Sequence, residues 1–209
     1  MKNQKTFRMT VLALFTALII LMSFTPLGYF RTAGLEITLL CIPVAAGAVL
    51  LGRRGGAFLG GVFGITSFIQ CLTGLSAFGA MLLSINWLGA AVTCIVPRIL
   101  AGYAAGLVAE LISGSAKKDN AEADNKREIT AAGAASLTMP LLNTILFMGS
   151  LVLFFWKSDY IQSFAGGKSV LPFIVAFVGI NGVIEAISCF IIGAAVGKAL
   201  VSVQRRITK

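Results

Sequence analysis

The stretch NWLGAAVTCIVPRILAGYAAGLVAELI, residues 86–112, decides the fold class. It exceeds the roughly 20 apolar residues that a helix needs to cross a hydrocarbon core. Small and apolar side chains cover every face of such a helix, and no charged stripe marks a side turned to water. Near its middle stand Pro97 and Arg98. An arginine at that depth is costly in lipid and must face the interior of a bundle.

Five similar runs lie around it, over about 9–25, 36–51, 55–73, 129–156 and 171–200. The run at 36–51 is short, and works if neighbouring helices bury its ends. Hydrophobic residues make up 57% of the 209-residue chain and charged residues only 12%. A soluble domain carries about 25% charged residues. With a mean hydropathy of +0.92, the chain has too few polar groups for a water-facing surface, so lipid is its solvent. The expected fold is all-α, a single polytopic membrane domain of six transmembrane helices.

The net charge of +9 is distributed as a topology signal, which removes the case for nucleic acid as a partner. Lys2, Lys5 and Arg8 precede the first helix, and Arg53 and Arg54 follow the second. Lys117, Lys118, Lys126 and Arg127 follow the fourth, and Lys198, Arg205, Arg206 and Lys209 close the chain. The opposite side holds Arg31, Lys157 and Lys168. Both termini are therefore expected in the cytoplasm. The N-terminal run lacks a small-x-small cleavage site and reads as a retained first helix. The mixed-charge segment 113–128 reads as a cytoplasmic linker between four helices and two.

Small residues recur at four-residue intervals, which lets backbones approach without a hydrophobic drive. Gly56, Gly60 and Gly64 mark the third run, Gly102 and Gly106 the fourth, and Gly193 and Gly197 the sixth. Ala13 and Ala17 make a smooth face on the first, suited to internal packing or to a partner's helix.

Arg98 lies roughly 18 Å of helical rise from Asn86. Glu185 is at comparable depth in the sixth run, Asn181 one turn outward, and Asn143 near the middle of the fifth. Gln70 and Ser67 add polar groups from the third, and Asn86 opens the fourth. This layer reads either as a structural Arg98–Glu185 pair that sets helix register or as a site for a small polar solute. In the second reading Arg98 offers a fork to a carboxylate, and Glu185 steadies that fork or accepts ligand hydroxyls. Pro97 frees a backbone carbonyl beside it. The loop around residues 26–35, with Gly28, Tyr29, Phe30 and Arg31, suits either a lid or a plain connector.

Enzyme signatures are missing. The chain contains no histidine, no HExxH, no GxSxG, no paired intramembrane aspartates and no P-loop. Cys41, Cys71, Cys94 and Cys189 lie in apolar runs without CxxC spacing, so they read as core thiols and not as metal ligands. No cofactor and no metal is expected, and energised transport would draw on an ATPase of another chain. An autonomous ion-coupled carrier using Arg98 and Glu185 is the rival transport reading.

Six short helices, Ala13-x-x-x-Ala17, Pro-Leu-Gly at 26–28, CIPVAAGA at 41–48, GAFLGGVFGITSF at 56–68 and VPRILAG at 96–102 together resemble the substrate-binding S components of energy-coupling factor (ECF) vitamin transporters. The likeness covers essentially the whole chain and is strongest toward the pantothenate-type branch, with riboflavin and other B vitamins as alternatives. The resemblance implies a bacterial plasma-membrane protein that captures a small water-soluble vitamin from outside. It further implies docking, through Ala13 and Ala17, onto a transmembrane coupling protein that carries two cytoplasmic ATPases.

Overall fold

The structure, a computed structural model, describes residues 2–26, 28–32, 35–114, 121–167 and 169–207. Side chains are described for 5–26, 28–29, 38–113, 126–167, 169–175, 178–179, 182–192 and 195. Helices dominate: α1 (Lys2–Ser23), α2 (Cys41–Leu72), α3 (Ala77–Ile85), α4 (Trp87–Gly114), α5 (Ala121–Phe155), α6 (Asp159–Ala165) and α7 (Val170–Ile207). A small antiparallel hairpin, β1 (Tyr29–Thr32) with β2 (Leu35–Thr38), joins α1 to α2 and pairs Tyr29 with Thr38.

The two apolar runs read at 36–51 and 55–73 are limbs of α2, broken at Gly52, whose φ of 76° is left-handed. The limbs fold back on each other. Ala48 Cβ lies 2.8 Å from where a β-carbon on Gly56 would stand, whereas eight residues of straight helix would separate them by about 12 Å. Gly52 is required twice over, because its φ disfavours any β-carbon and that carbon would strike the Glu110 carboxylate. Glu110 Oε1 accepts from the Arg53 backbone N–H at 2.9 Å. It thereby supplies a cap to the second limb's orphan donors.

The first limb is the core of the bundle: Cys41, Val44, Ala45, Ala46, Ala48 and Leu51 are all buried. It needs no lipid-facing surface, so its shortness is tolerated. The second limb and α4 meet through glycines. Gly56 and Gly102 face each other's carbonyls, Gly60 rests on the carbonyl of Arg98, and a β-carbon on Gly64 would come within 2.8 Å of Ile95 Cα. Gly193 and Gly197 lie outside the residues whose side chains are described.

Outward faces are apolar. Met9 on α1, Leu153 on α5, and Leu171 and Val175 on α7 are each at least 70% exposed, a patchwork that water would penalise and acyl chains accept. Four stretches are long and apolar enough to cross a membrane, namely Lys5–Ser23, Cys41–Leu72, Trp87–Ser113 and Lys126–Phe155, with a shorter apolar run at Gly182–Ile192.

Several boundaries differ from the sequence reading. Residues 36–38 belong to β2 and not to a helix. The ladder takes up their backbone bonds, and α2 starts at Cys41, placing Pro43 in the first turn where its missing N–H costs nothing. The linker read over 113–128 is helical from Ala121 onward. Its Ala-rich sequence, with Glu122 four residues before Lys126, supports a solvated helical extension. Two short helices stand where loops were expected: α3, capped by Ser76 Oγ accepting from Gly79 N at 3.2 Å, and α6, capped by Ser158.

Replacing Gly60 by Ala drives a methyl into the Arg98 backbone, and overpacking of this kind costs about 1–3 kcal/mol. We expect a lower Tm in detergent for Gly60→Ala, and no change for Gly149→Ala, where nothing lies within 4 Å of the added carbon.

Candidate functional site

Pro97 has no N–H, so the carbonyl of Thr93, four residues earlier, loses its helical donor. The side chain of Arg98 takes that place: its Nη1 donates to Thr93 O at 2.5 Å. The guanidinium is thereby bent back along its own helix instead of reaching outward. Two rings hold it from the flanks, Phe63 of α2 at 5.4 Å and Phe147 of α5 at 4.8 Å from the guanidinium carbon. Cation–π contact of this kind contributes about 0.5–2 kcal/mol, more as water is excluded. Gly60, lying on the Arg98 carbonyl, sets the backbone from which the side chain departs.

Beside this guanidinium is a cavity of about 150 Å³, below the usual range for drug-sized ligands, and so suited to a compact solute. Its polar wall includes Tyr29, Thr38, Ser67, Gln70, Ser76, Arg98, Asn143 and Glu185, and its apolar wall Phe63, Phe78, Leu82, Phe147 and Met148. The cavity occupies the end of the bundle where the β-hairpin, α3 and the C-terminal end of α2 converge. Tyr29 on β1 reaches Ser67 on α2, with 3.1 Å between their hydroxyls. The segment read as lid or connector therefore supplies a wall of the cavity. Gln70, 1% exposed, donates from Nε2 to the carbonyl of Ser23 and ties α1 to this wall.

The structure brings Arg98, Asn143, Glu185 and Gln70 to one cavity. Asn86 is not among its lining residues, and its Oδ1 accepts from Gly89 N at 3.0 Å to cap the start of α4. Asn181 is on α7, one turn before Glu185, but its side chain lies outside the described residues. Arg98 and Glu185 share the cavity without forming an ion pair. Among the described residues the ion pair within 4 Å is Arg53–Glu110. Glu185 accepts instead from the thiol of Cys41 at 2.8 Å.

Two polar atoms on the cavity residues are buried with no hydrogen-bond partner among the described residues: Nε of Arg98 and Oδ1 of Asn143. One is a charged donor and the other a neutral acceptor. Leaving such atoms unpaired costs about 1–3 kcal/mol each, more for the charged one. Tyr29, Thr38, Phe63 and Phe147 escape a search for intramembrane polar groups. Their available signal is the alternation of apolar and polar residues over 35–38, and the aromatic content of the runs that flank Arg98.

Four stretches long and apolar enough to cross a membrane, with a solute-sized cavity at one end of the bundle, define a multi-pass membrane protein. The chain belongs to the family of ECF transporter substrate-specific components, whose model matches residues 7–196. Two relatives align over nearly their whole length. The pantothenate transporter PanT of Leuconostoc mesenteroides subsp. mesenteroides is 27% identical over 216 residues, covering 99% of this chain and 98% of its own. The pantothenic acid transporter PanT of Lactococcus lactis subsp. cremoris is 25% identical over 217 residues, covering 96% of each. The chain is a multi-pass membrane protein of a transporter family.

Restoring the missing donor tests the anchoring. In Pro97→Ala the helix reclaims the Thr93 carbonyl and Arg98 loses its tether. We expect substrate affinity to fall about tenfold, roughly 1.4 kcal/mol, with Tm no lower than in the parent, since interior proline is itself unfavourable. Unchanged affinity contradicts the anchoring.

Proposed function

We propose that this chain is the pantothenate-capturing S component of an ECF importer. The observation that carries the reading is that Arg98 and Asn143, each holding a buried polar atom without a partner among the described residues, line the same small cavity. Pantothenate has a carboxylate at one end, an amide and hydroxyls along its length, and gem-dimethyl bulk between. Its carboxylate suits Arg98, an N–H or hydroxyl suits Asn143, and the dimethyl group suits Phe63, Phe147 and Leu82. Glu185 and Asn181 receive the hydroxyl end, and Gln70 holds the outer wall. The names of both relatives agree with this substrate, and a compact cavity favours it over a three-ring vitamin such as riboflavin. Asn86, which caps α4 and is not among the lining residues, is not carried into this site.

In the membrane, the two limbs of α2 count separately and α7 completes six crossings, with both termini cytoplasmic by the distribution of Lys and Arg. Capture then occurs from outside. The sequence carries no P-loop motif, and delivery by a coupling protein with two ATPases is what the family resemblance implies. Ala13 and Ala17 are exposed on α1, as a docking face for that partner requires.

Isothermal titration of the purified chain with pantothenate tests the substrate. Truncating one partner of a buried charged contact costs about 2–5 kcal/mol, so Arg98→Ala should weaken binding at least about thirtyfold and Arg31→Ala hardly at all. The alcohol analogue lacking the carboxylate should bind the parent as poorly as pantothenate binds Arg98→Ala. Equal affinities for the two variants overturn the assignment.

Docking has its own readout. Ala13→Leu and Ala17→Leu are expected to abolish ATP-dependent uptake into vesicles containing the coupling protein and ATPases, with pantothenate binding intact. Loss of binding would mean that this face packs internally, and uptake without the ATPases would favour the autonomous carrier.

A further inference from the structure

At the end of the bundle opposite the cavity, a second groove of about 480 Å³ opens between α1, the Gly52 bend and α4. Roughly 25 Å of helical rise along the second limb of α2, from Arg53 to Gln70, separates the two. We propose that this groove binds the phosphate of an anionic phospholipid.

Three arginines from two elements line it, Arg8, Arg53 and Arg54, against one carboxylate, Glu110. Arg8 is fixed by its Nη2, which donates to the carbonyl of Leu51 at 3.0 Å. That carbonyl ends the first limb of α2 at the bend, where no helical donor follows. Arg53 is steered by Glu110, with 3.5 Å between Nε and Oε2. Arg54 has no partner among the described residues. Each fixed guanidinium keeps N–H donors free, so the groove holds an excess of positive charge with donors still available.

The remaining wall is apolar and outward-facing. Met9 is 72% and Phe58 52% exposed, and Leu12 of α1 lines the groove beside them. A free inorganic anion needs the arginines but gains nothing from Met9 and Phe58. A molecule with a phosphate and acyl chains uses both, the head in the groove and the chains along α1 and the second limb. Basic pockets between helices at a membrane's cytoplasmic side bind anionic headgroups, with about 1 kcal/mol per Lys or Arg. The Gly52 bend is what makes this pocket, because it turns the chain sharply enough to present Arg53 and Arg54 beside Arg8.

Native mass spectrometry of the full chain in non-ionic detergent tests this, with phosphatidylglycerol and phosphatidylcholine of identical acyl chains. We expect one saturable phosphatidylglycerol adduct, weakened about fivefold in Arg54→Gln and about fivefold again when Arg8→Gln is added. Arg54→Gln removes no contact of the fold, so its effect is free of folding losses. Equimolar inorganic phosphate should fail to displace the lipid. Equal retention of the choline lipid, displacement by phosphate, or an unchanged adduct in the double variant overturns the proposal. So does retained lipid with lost uptake in vesicles, which assigns the arginines to a protein partner. Pantothenate titration of the same variants should be unchanged, so failure here is distinguishable from failure of the substrate reading.

Discussion

A guanidinium held inside an apolar bundle constrains everything near it. Lipid offers such a charge nothing. Its surroundings must therefore supply acceptors and polarizable faces. Here the helix supplies the acceptor itself: Pro97 leaves the Thr93 carbonyl without its amide donor, and Arg98 Nη1 takes it. Phe63 and Phe147 cover its flanks. The result is a fixed cation with part of its donor set unused, which is the condition for recognising an anion with little reorganisation.

Holding that cation in place depends on backbones packed closer than side chains would permit. Gly60 lies on the Arg98 carbonyl, and Gly56 and Gly102 face one another a turn further along. The same economy of side chains appears at Gly52, where Glu110 fits against the bend and caps the second limb. Tight packing at the α2–α4 seam continues to the level of Gly64 and Ile95. Beyond it Cys71 and Cys94 still meet across the seam, at 3.7 Å between sulfurs, and residues of the hairpin and α3 line the cavity. The cavity lies beyond the tightest glycine contacts of this seam, toward the C-terminal end of α2. The site therefore belongs to the helix seam as much as to the polar residues that line it.

Much of this was legible in the sequence. Arg98, Glu185, Asn143 and Gln70 stood out because charge and amide groups are rare in apolar runs, and all four reach one cavity. The glycine spacing of the α2–α4 seam was equally plain. Other features depend on tertiary context. Whether Arg98 pairs with Glu185 is a matter of an ångström or two, and the Cys41 thiol and the Thr93 carbonyl take those places instead. Asn86 caps α4, a role that composition cannot distinguish from a ligand contact. Tyr29 reaches the cavity through strand pairing across a turn, and the run at 35–38 merges in hydropathy with the helix that follows. The charged segment before residue 129 has both a linker's composition and good helix propensity, and the helix wins from Ala121 onward.

The central claim is that the carboxylate of a small acid docks on the guanidinium that Thr93 and two phenylalanines hold in place. An experimental structure of the chain with pantothenate bound reads this directly. We expect the carboxylate within hydrogen-bond distance of Arg98, Asn143 bonded to the amide or a hydroxyl, and the Thr93 tether intact. A ligand seated away from Arg98, or a guanidinium turned out among acyl chains, would contradict it.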